Sequence, residues 1–346
     1  MGRAQRSQKT KYFLIAVTKW LFNQGVGKSK HEMFQQSYEK DETRQTPYIH
    51  TYPTAARYEK IVANFGDFLT KEYGLKYLRD FINLTYDELY VCVDRYFEKE
   101  KEKQKSESTL KIHISALSKV LGTISPDFVK EYFTPINRSR WRDGVVKGDN
   151  DRYNNPDKVV ENLKSINETA YIVSELQRLT GARVGDVKKI MIDEQNTRVF
   201  IQKSKGGRNR FVYYDRFRDD FERVKELKEK LDKVLEERRF SEIREQEYYN
   251  SLRKACRQAH EPYRGSHSFR YEWAQERYKV ISQWNQEEQE QYYRRILEDR
   301  NLSKEDIEGK MKEVKEKNVI DVAIISEELG HSRIDISVHY LKIRRK

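Results

Sequence analysis

The chain has 346 residues, a formal net charge of +12 and a pI near 9.3, with 37% of residues hydrophobic, 36% charged and 12% aromatic. That length allows two or three domains with a sizeable core, and the aromatic content and apolar periodicity exclude the disordered class. Two cysteines, Cys92 and Cys256, exclude a disulfide framework and a four-cysteine zinc site; the early apolar run from Tyr12 to Val17 is too short for a secretory signal or a membrane span; the basic excess points to a polyanion.

Residues 1–30 carry seven basic side chains (Arg3, Arg6, Lys9, Lys11, Lys19, Lys28, Lys30) and no acidic one, and are expected to form a basic arm leading into a helix. Gly25-Val26-Gly27-Lys28-Ser29 looks like the end of a phosphate-binding loop. Phe22 stands where its first glycine belongs, and no strand precedes it, so no nucleotide site is expected. Residues 31–133 are predicted to be a small all-helical domain. Tyr58, Ile61, Val62, Phe65, Phe68 and Leu69 recur at helical steps, and so do Leu110, Ile114, Leu117, Val120 and Leu121 behind the capping candidate Ser106. Lys111, His113, Ser115 and Lys119 are expected on the other face of that second helix.

Prolines, Gly144 and Gly148 make residues 134–158 a linker candidate, with a second domain over residues 159–346. There a helix through Tyr171, Val173, Leu176 and Leu179 ends near Gly181. Val199-Phe200-Ile201 and Phe211-Val212-Tyr213-Tyr214 flank a Lys205-Gly206-Gly207 turn, which predicts a hairpin. Residues 286–318 are intensely charged and predict a solvated helix pair inserted on the surface. The expected fold class is mainly α with a small β-sheet or hairpin.

Four segments of the second domain carry candidate chemistry: Thr180-Gly181-Ala182-Arg183-Val184-Gly185-Asp186, the hairpin turn with Lys205, Ser266-His267-Ser268-Phe269-Arg270, and Leu329-Gly330-His331 followed nine residues later by Tyr340. His267 and Arg270, three apart, share a face at a helix start. Singly, each reads as an ordinary surface feature. Together they suit one reaction. Two guanidiniums clamp the non-bridging oxygens of a phosphodiester as these gain charge. A phenol, with an ordinary pKa of about 10, makes a reversible nucleophile, and a lysine supplies the proton that the departing hydroxyl needs.

The order Arg, Lys, His-x-x-Arg, Gly-His, Tyr resembles the tyrosine recombinase (phage integrase) family from Thr180 to the end. The resemblance implies Arg183 and Arg270 as catalytic arginines, Lys205 as the hairpin lysine with Lys203 as the lesser candidate, and His267 and His331 as the two histidine positions. It makes Tyr340 the nucleophile and gives Asp186 a supporting role. It implies a helical core-binding domain followed by a catalytic domain, no cofactor and no metal. It also implies double-stranded DNA with paired half-sites as partner, a homodimer on one site and a homotetramer in synapsis; the cysteine usage and the short apolar run separately give a cytoplasmic location, or a nuclear one in a eukaryote, as the expectation.

Integration or excision of a mobile element, through a 3′-phosphotyrosyl intermediate, is the expected role. Two alternatives remain: a type IB-like topoisomerase and a non-catalytic DNA-binding protein of the same fold. Three departures from the family pattern stand out. Tyr271 follows Arg270 where many members have histidine. Arg270 and His331 are 61 positions apart, the excess falling in residues 286–318. Only six residues follow Tyr340, a short tail for exchange between protomers.

Overall fold

The computed structural model describes residues 8–28, 33, 46, 48–144, 152–204, 207–237, 245–331 and 334–341, without the side chains of residues 335, 336 and 339. It divides into two compact units, Met1–Asp149 and Asn150–Lys346. Among the described residues no helix is long and apolar enough to cross a membrane.

The first unit is helical: α1 (Thr10–Gly25), α2 (Tyr52–Tyr73), α3 (Leu78–Ile82), α4 (Tyr86–Glu102), α5 (Glu107–Ile124), α6 (Pro126–Tyr132) and α7 (Pro135–Arg140). Ser106 caps α5, accepting from the Thr109 amide at 3.3 Å, as its position predicts. The expected basic arm is, over its described part, a core helix. Leu14, Thr18, Leu21 and Gly25 recur every three to four residues and bury α1 against α2. Lys19 lies on another face, and Lys11, at the edge of the stripe, pairs with Asp67 of α2 at 2.7 Å, so the charges do not prevent the packing. Arg3, Arg6 and Lys30 lie outside the described residues.

The linker candidate is narrower than its proline and glycine content implies. Trp141 is buried in the first unit, stacked on Phe97 with ring centroids 4.6 Å apart, while Tyr153 is buried in the second.

The second unit runs α8 (Pro156–Ile166), α9 (Glu168–Thr180), a 3-10 turn (Val184–Lys189), β1 (Ile190–Asp193), β2 (Arg198–Ser204) and β3 (Arg208–Tyr213). It continues with α10 (Arg218–Glu237), α11 (Glu245–Ala259), α12 (His267–Ile281), α13 (Gln286–Asp299), α14 (Lys304–Glu316), α15 (Ile320–Leu329) and α16 (Ile334–Leu341). The three strands form one antiparallel sheet in the order β1-β2-β3. The β2–β3 pair is the predicted hairpin, with a register break between Ile201 and Ser204 where Lys203 adopts φ 43°. β1 has no sequence signal. Four residues, Ile-Met-Ile-Asp, are too few for an alternation to register, and pairing with β2 makes them a strand.

The charged helix pair α13–α14 is present but not merely solvated. Tyr293, Ile296, Leu297, Ile307, Met311 and Val314 are buried in the core of the second unit, where the pair packs on α15. Three apolar residues per helix, spaced three and four apart, suffice for a buried seam despite the surrounding charge.

Candidate active site

Two helices end side by side in the second unit, and both end on a left-handed glycine. Gly181 closes α9 at φ 61°, and Gly330 closes α15 at φ 68°. A glycine here avoids the Cβ strain of that conformation and frees the chain to turn sharply. At both positions space is also short. A Cβ on Gly181 would come within 2.5 Å of the Trp273 ring, and one on Gly330 within 2.7 Å of Arg210 Cδ. The two turns launch Arg183 and His331.

Arg183 is half-buried and donates from Nη1 to Ser204 Oγ at 2.9 Å. That hydroxyl donates in turn to Asp186 Oδ2 at 2.6 Å, while Lys189 donates to the other carboxylate oxygen at 3.2 Å. Arg183 itself stands 3.6 Å from Asp186. Burial alone would raise the Asp186 carboxyl. The Ser204 hydroxyl and the charges of Lys189 and Arg183 outweigh it and hold the carboxyl below its ordinary range.

Arg270, in the first turn of α12, is fully buried. Its Nη1 donates to the Gly181 carbonyl and its Nη2 to the Leu329 carbonyl, so one guanidinium bridges both helix ends. Such a cation suits the negative pole of a helix C-terminus. Nη2 also lies 3.4 Å from His331 Nε2. Burial, and then repulsion from Arg183, pull the Arg270 guanidinium down to about 10.

His331 is 7% exposed. Its Nδ1 lies 2.8 Å from Ser337 Oγ on α16. Arginine only donates, so His331 Nε2 is the accepting nitrogen and Nδ1 carries the proton toward Ser337. Burial, reinforced by Arg270, Arg183, Arg210 and His267, lowers its pKa to about 3. The imidazole is therefore neutral throughout the physiological range.

Tyr340, on α16, is 9% exposed and meets the same group. Its ring centroid lies 5.9 Å from the Arg270 guanidinium and 5.0 Å from the His331 ring. Arg270 hydrogen-bonds its phenol. Tyr271, beside Arg270 in sequence, stacks on it with centroids 4.1 Å apart, and Gln275 donates to its backbone carbonyl at 3.0 Å. Aromatic stacking is therefore what Tyr271 contributes at this position.

The structure thus brings together Arg183, Asp186, Arg270, His331 and Tyr340. His267 begins α12, is exposed, and is near enough for its charge to depress His331. Lys205 lies outside the described residues; Lys203 is described and exposed on β2.

One participant has no sequence motif. Arg210 on β3 is 1% exposed and donates from Nε to the Glu328 carbonyl at 2.7 Å, and from Nη2 to the Thr180 and Gly181 carbonyls at 3.3 and 3.4 Å. Its Nη1, and Arg270 Nε, meet no hydrogen-bond acceptor among the described residues. Burial first, then Arg270 and Arg183, push the Arg210 guanidinium far down. In sequence it reads as one more basic residue in a hairpin. Arg183, Arg210 and Arg270 share the Asp186 carboxylate, while the buried Glu328, which also acts on Arg210, is matched by Arg277 at 2.8 Å; positive charge is left in excess in a dry setting, which is what an anionic substrate requires. Among the described residues no group of three metal-ligating side chains is assembled.

Over 99% of its length the chain is similar to a solved lambda integrase tetramer bound to a Holliday junction, with TM-score 0.54, 13% identity and 81% of that chain covered. The chain has the tyrosine-recombinase fold. Weaker likenesses reach a lambda integrase dimer bound to a COC′ core site (TM-score 0.48, 14% identity, 90% of this chain and 76% of that one) and XerA recombinase (TM-score 0.34, 15% identity, 96% and 94%). No family model matches the sequence, and no curated protein matches it.

The expected DNA-reading face of α5, in the first unit of this recombinase fold, is corrected in one respect. His113 is buried, with Nδ1 3.0 Å from the Tyr96 hydroxyl. At 100° per residue it lies about 200° from Lys111, across the helix rather than beside it. Ser115 is half-buried and hydrogen-bonds Tyr58, and Lys119 donates to the Thr46 carbonyl. Lys111 is exposed and pairs with Glu107 at 2.8 Å.

Proposed function

We propose that this chain cuts and rejoins double-stranded DNA as a site-specific recombinase, with Tyr340 as the nucleophile. What supports the reading is a single convergence: a phenol, a neutral imidazole and two arginines from four separate segments meet at one anion-attracting point. Tyr340 oxygen attacks phosphorus, forming a 3′-phosphotyrosyl bond while the bond from phosphorus to the 5′ oxygen breaks. Arg183 and Arg270 take the non-bridging oxygens as their charge grows. Neutral His331 holds Arg270 by accepting from it and keeps α16 in place through Ser337. His267, the exposed imidazole of the group, takes the phenolic proton, and Lys205 supplies one to the departing 5′ oxygen. Asp186 and Ser204 orient Arg183.

The likeness to the lambda integrase tetramer on a Holliday junction supports DNA as substrate and four protomers in synapsis; two protomers on each duplex site is the corresponding arrangement. Integration or excision of a mobile element is the corresponding role. The net charge of +12 agrees with a phosphate-binding surface.

The test uses a pool of nicked duplexes of randomised sequence, in which strand cleavage releases a short end and traps the covalent complex. The wild-type chain should give denaturant-resistant protein–DNA adducts enriched in one site, and Tyr340→Phe should bind that site but form none. Adducts from Tyr340→Phe would sink the nucleophile assignment. Specific binding without any wild-type adduct would favour a non-catalytic DNA-binding protein, and adducts without sequence preference a topoisomerase.

A further inference from the structure

The charged helix pair reaches the candidate site through one buried cluster. Tyr292, on α13, donates its hydroxyl to Glu328 Oε1 at 2.7 Å. Arg277, on α12, grips the same carboxylate, Nη2 to Oε1 at 2.8 Å and Nε to Oε2 at 3.1 Å, and donates to the Tyr292 oxygen at 2.7 Å. Glu328 and Arg277 are both buried. Burial alone would lower the Arg277 guanidinium, but the Glu328 carboxylate outweighs it and the net shift is upward.

Glu328 is also the residue whose carbonyl receives Arg210. Arg210 continues to the Thr180 and Gly181 carbonyls, and Arg270 donates to Gly181 and to Leu329. A continuous run of charge-assisted bonds therefore leads from α13 to both helix ends that present the site. The hydroxyl of Tyr292 sits at its outer end. The same helix braces the sheet that carries Arg210: Arg295 pairs with Asp215 at 2.6 Å and lies 4.1 Å from the Tyr213 ring, and Asp299 pairs with Arg198.

We propose that Tyr292 is a positioning residue of the site. Through Glu328 and Arg210 it fixes the C-terminus of α15 and with it Arg270 and His331, so the segment between Arg270 and His331 is part of the active-site scaffold. A buried carboxylate keeps one orientation only when its acceptor sites are filled by fixed donors. Without the hydroxyl, Glu328 keeps Arg277 as donor but loses the tie to α13. The Tyr292 ring packs edge-on to Tyr213 and Trp284, contacts that a phenylalanine retains. The hydroxyl is thus separable from the packing.

The test is Tyr292→Phe in the full chain. Arg294→Ala serves as a control, because among the described residues the hydrogen-bonded partner of Arg294 is Glu308, a surface pair across the same helices at 2.6 Å. Two readouts are taken. The first is the titration of the His331 imidazole by nuclear magnetic resonance, assigned with His331→Gln. The second is single-turnover adduct formation on a nicked duplex selected by the wild-type chain, with DNA affinity measured beside it. Tyr292→Phe should raise the His331 pKa from its value of about 3 and slow adduct formation on the order of 10- to 100-fold at unchanged affinity. Arg294→Ala should change neither. Wild-type titration and rate in Tyr292→Phe, or an equal loss in Arg294→Ala, would overturn the proposal. The rate effect rests on the strand-cleavage reading, whereas the titration does not. Absence of any wild-type adduct thus tells against that reading, and the His331 shift alone then decides the positioning role.

Discussion

Among the described residues each unit buries one histidine beside its core, and the two differ in the strongest charge beside them. His113, in the first unit, is lowered by burial; Glu100, 3.7 Å away, pulls the other way, and the more weakly acting Lys105, Arg57 and Lys103 lower it again. His331, in the second, is lowered by burial and lowered again by Arg270, Arg183, Arg210 and His267. A carboxylate next to a buried imidazole is the arrangement of a core that balances its own charge. The carboxylate beside His113 distinguishes the two environments, and burial alone does not.

Breaking the positive pocket should give the largest effect. Arg270→Lys keeps a charge but cannot reach the Gly181 and Leu329 carbonyls in the same fork, so adduct formation should fall on the order of 100- to 1000-fold with DNA affinity nearly unchanged. Single-turnover trapping on a nicked duplex measures it, and a loss of less than about tenfold would mean that Arg270 is scaffolding.

The glycine caps offer the next contrast. Gly74 closes α2 in the first unit at φ 68° with nothing near its would-be Cβ, whereas Gly181 faces the Trp273 ring. Gly74→Ala should cost about 1 kcal/mol from backbone strain, and Gly181→Ala about 3 kcal/mol once steric overlap is added. Urea unfolding of the two variants tests this, and equal costs would show that the pocket yields easily.

Acid should separate the two histidines. The folded pKa of His331 lies near 3, below the ordinary value of 6.5. Between these values the unfolded chain binds the proton first. The stability that His331 contributes is therefore complete above pH 6.5 and lost as the pH falls toward about 3. Between pH 7 and 4.5, wild type should lose more stability than His331→Gln. His113 has the same sign, with Glu100 opposing it, so His113→Gln should flatten the curve less. The reverse order would mean that the arginine pocket is solvated.

The smallest effect belongs to the first unit. Lys111→Ala removes an exposed ion pair and should change stability by less than about 0.5 kcal/mol. If α5 contacts phosphate, the logarithmic salt dependence of DNA binding should drop by about one unit. An unchanged slope would take α5 off the DNA.

The motif residues were legible because each sits at a break that sequence chemistry announces. Thr180-Gly181 ends a periodic run, two glycines mark a hairpin, and Leu329-Gly330 ends another helix. Their membership of one group was a chemical inference, and Arg270 meets Gly181 and Leu329 across 89 and 59 positions of chain. Arg210 was not legible, because a lone arginine on a strand reads as solvent-facing. The inward turn of His113 is written in the helical period, which sets it about 200° from Lys111, although its residue type is polar. The helix pair of residues 286–318 was read by its charge, although three apolar positions per helix are enough to bury it.

By itself the sequence determined the helical character, the β2–β3 hairpin, the glycine breaks and the order of the chemistry-bearing residues, because each depends on neighbours within a few positions. The tertiary structure alone decided which basic residues became buried cations, since that depends on which distant element supplies the carbonyls. It placed Arg210 and Arg270 on the ends of α9 and α15, and it tied α13 to Glu328. Local periodicity says which face of an element is apolar; only packing says what covers it.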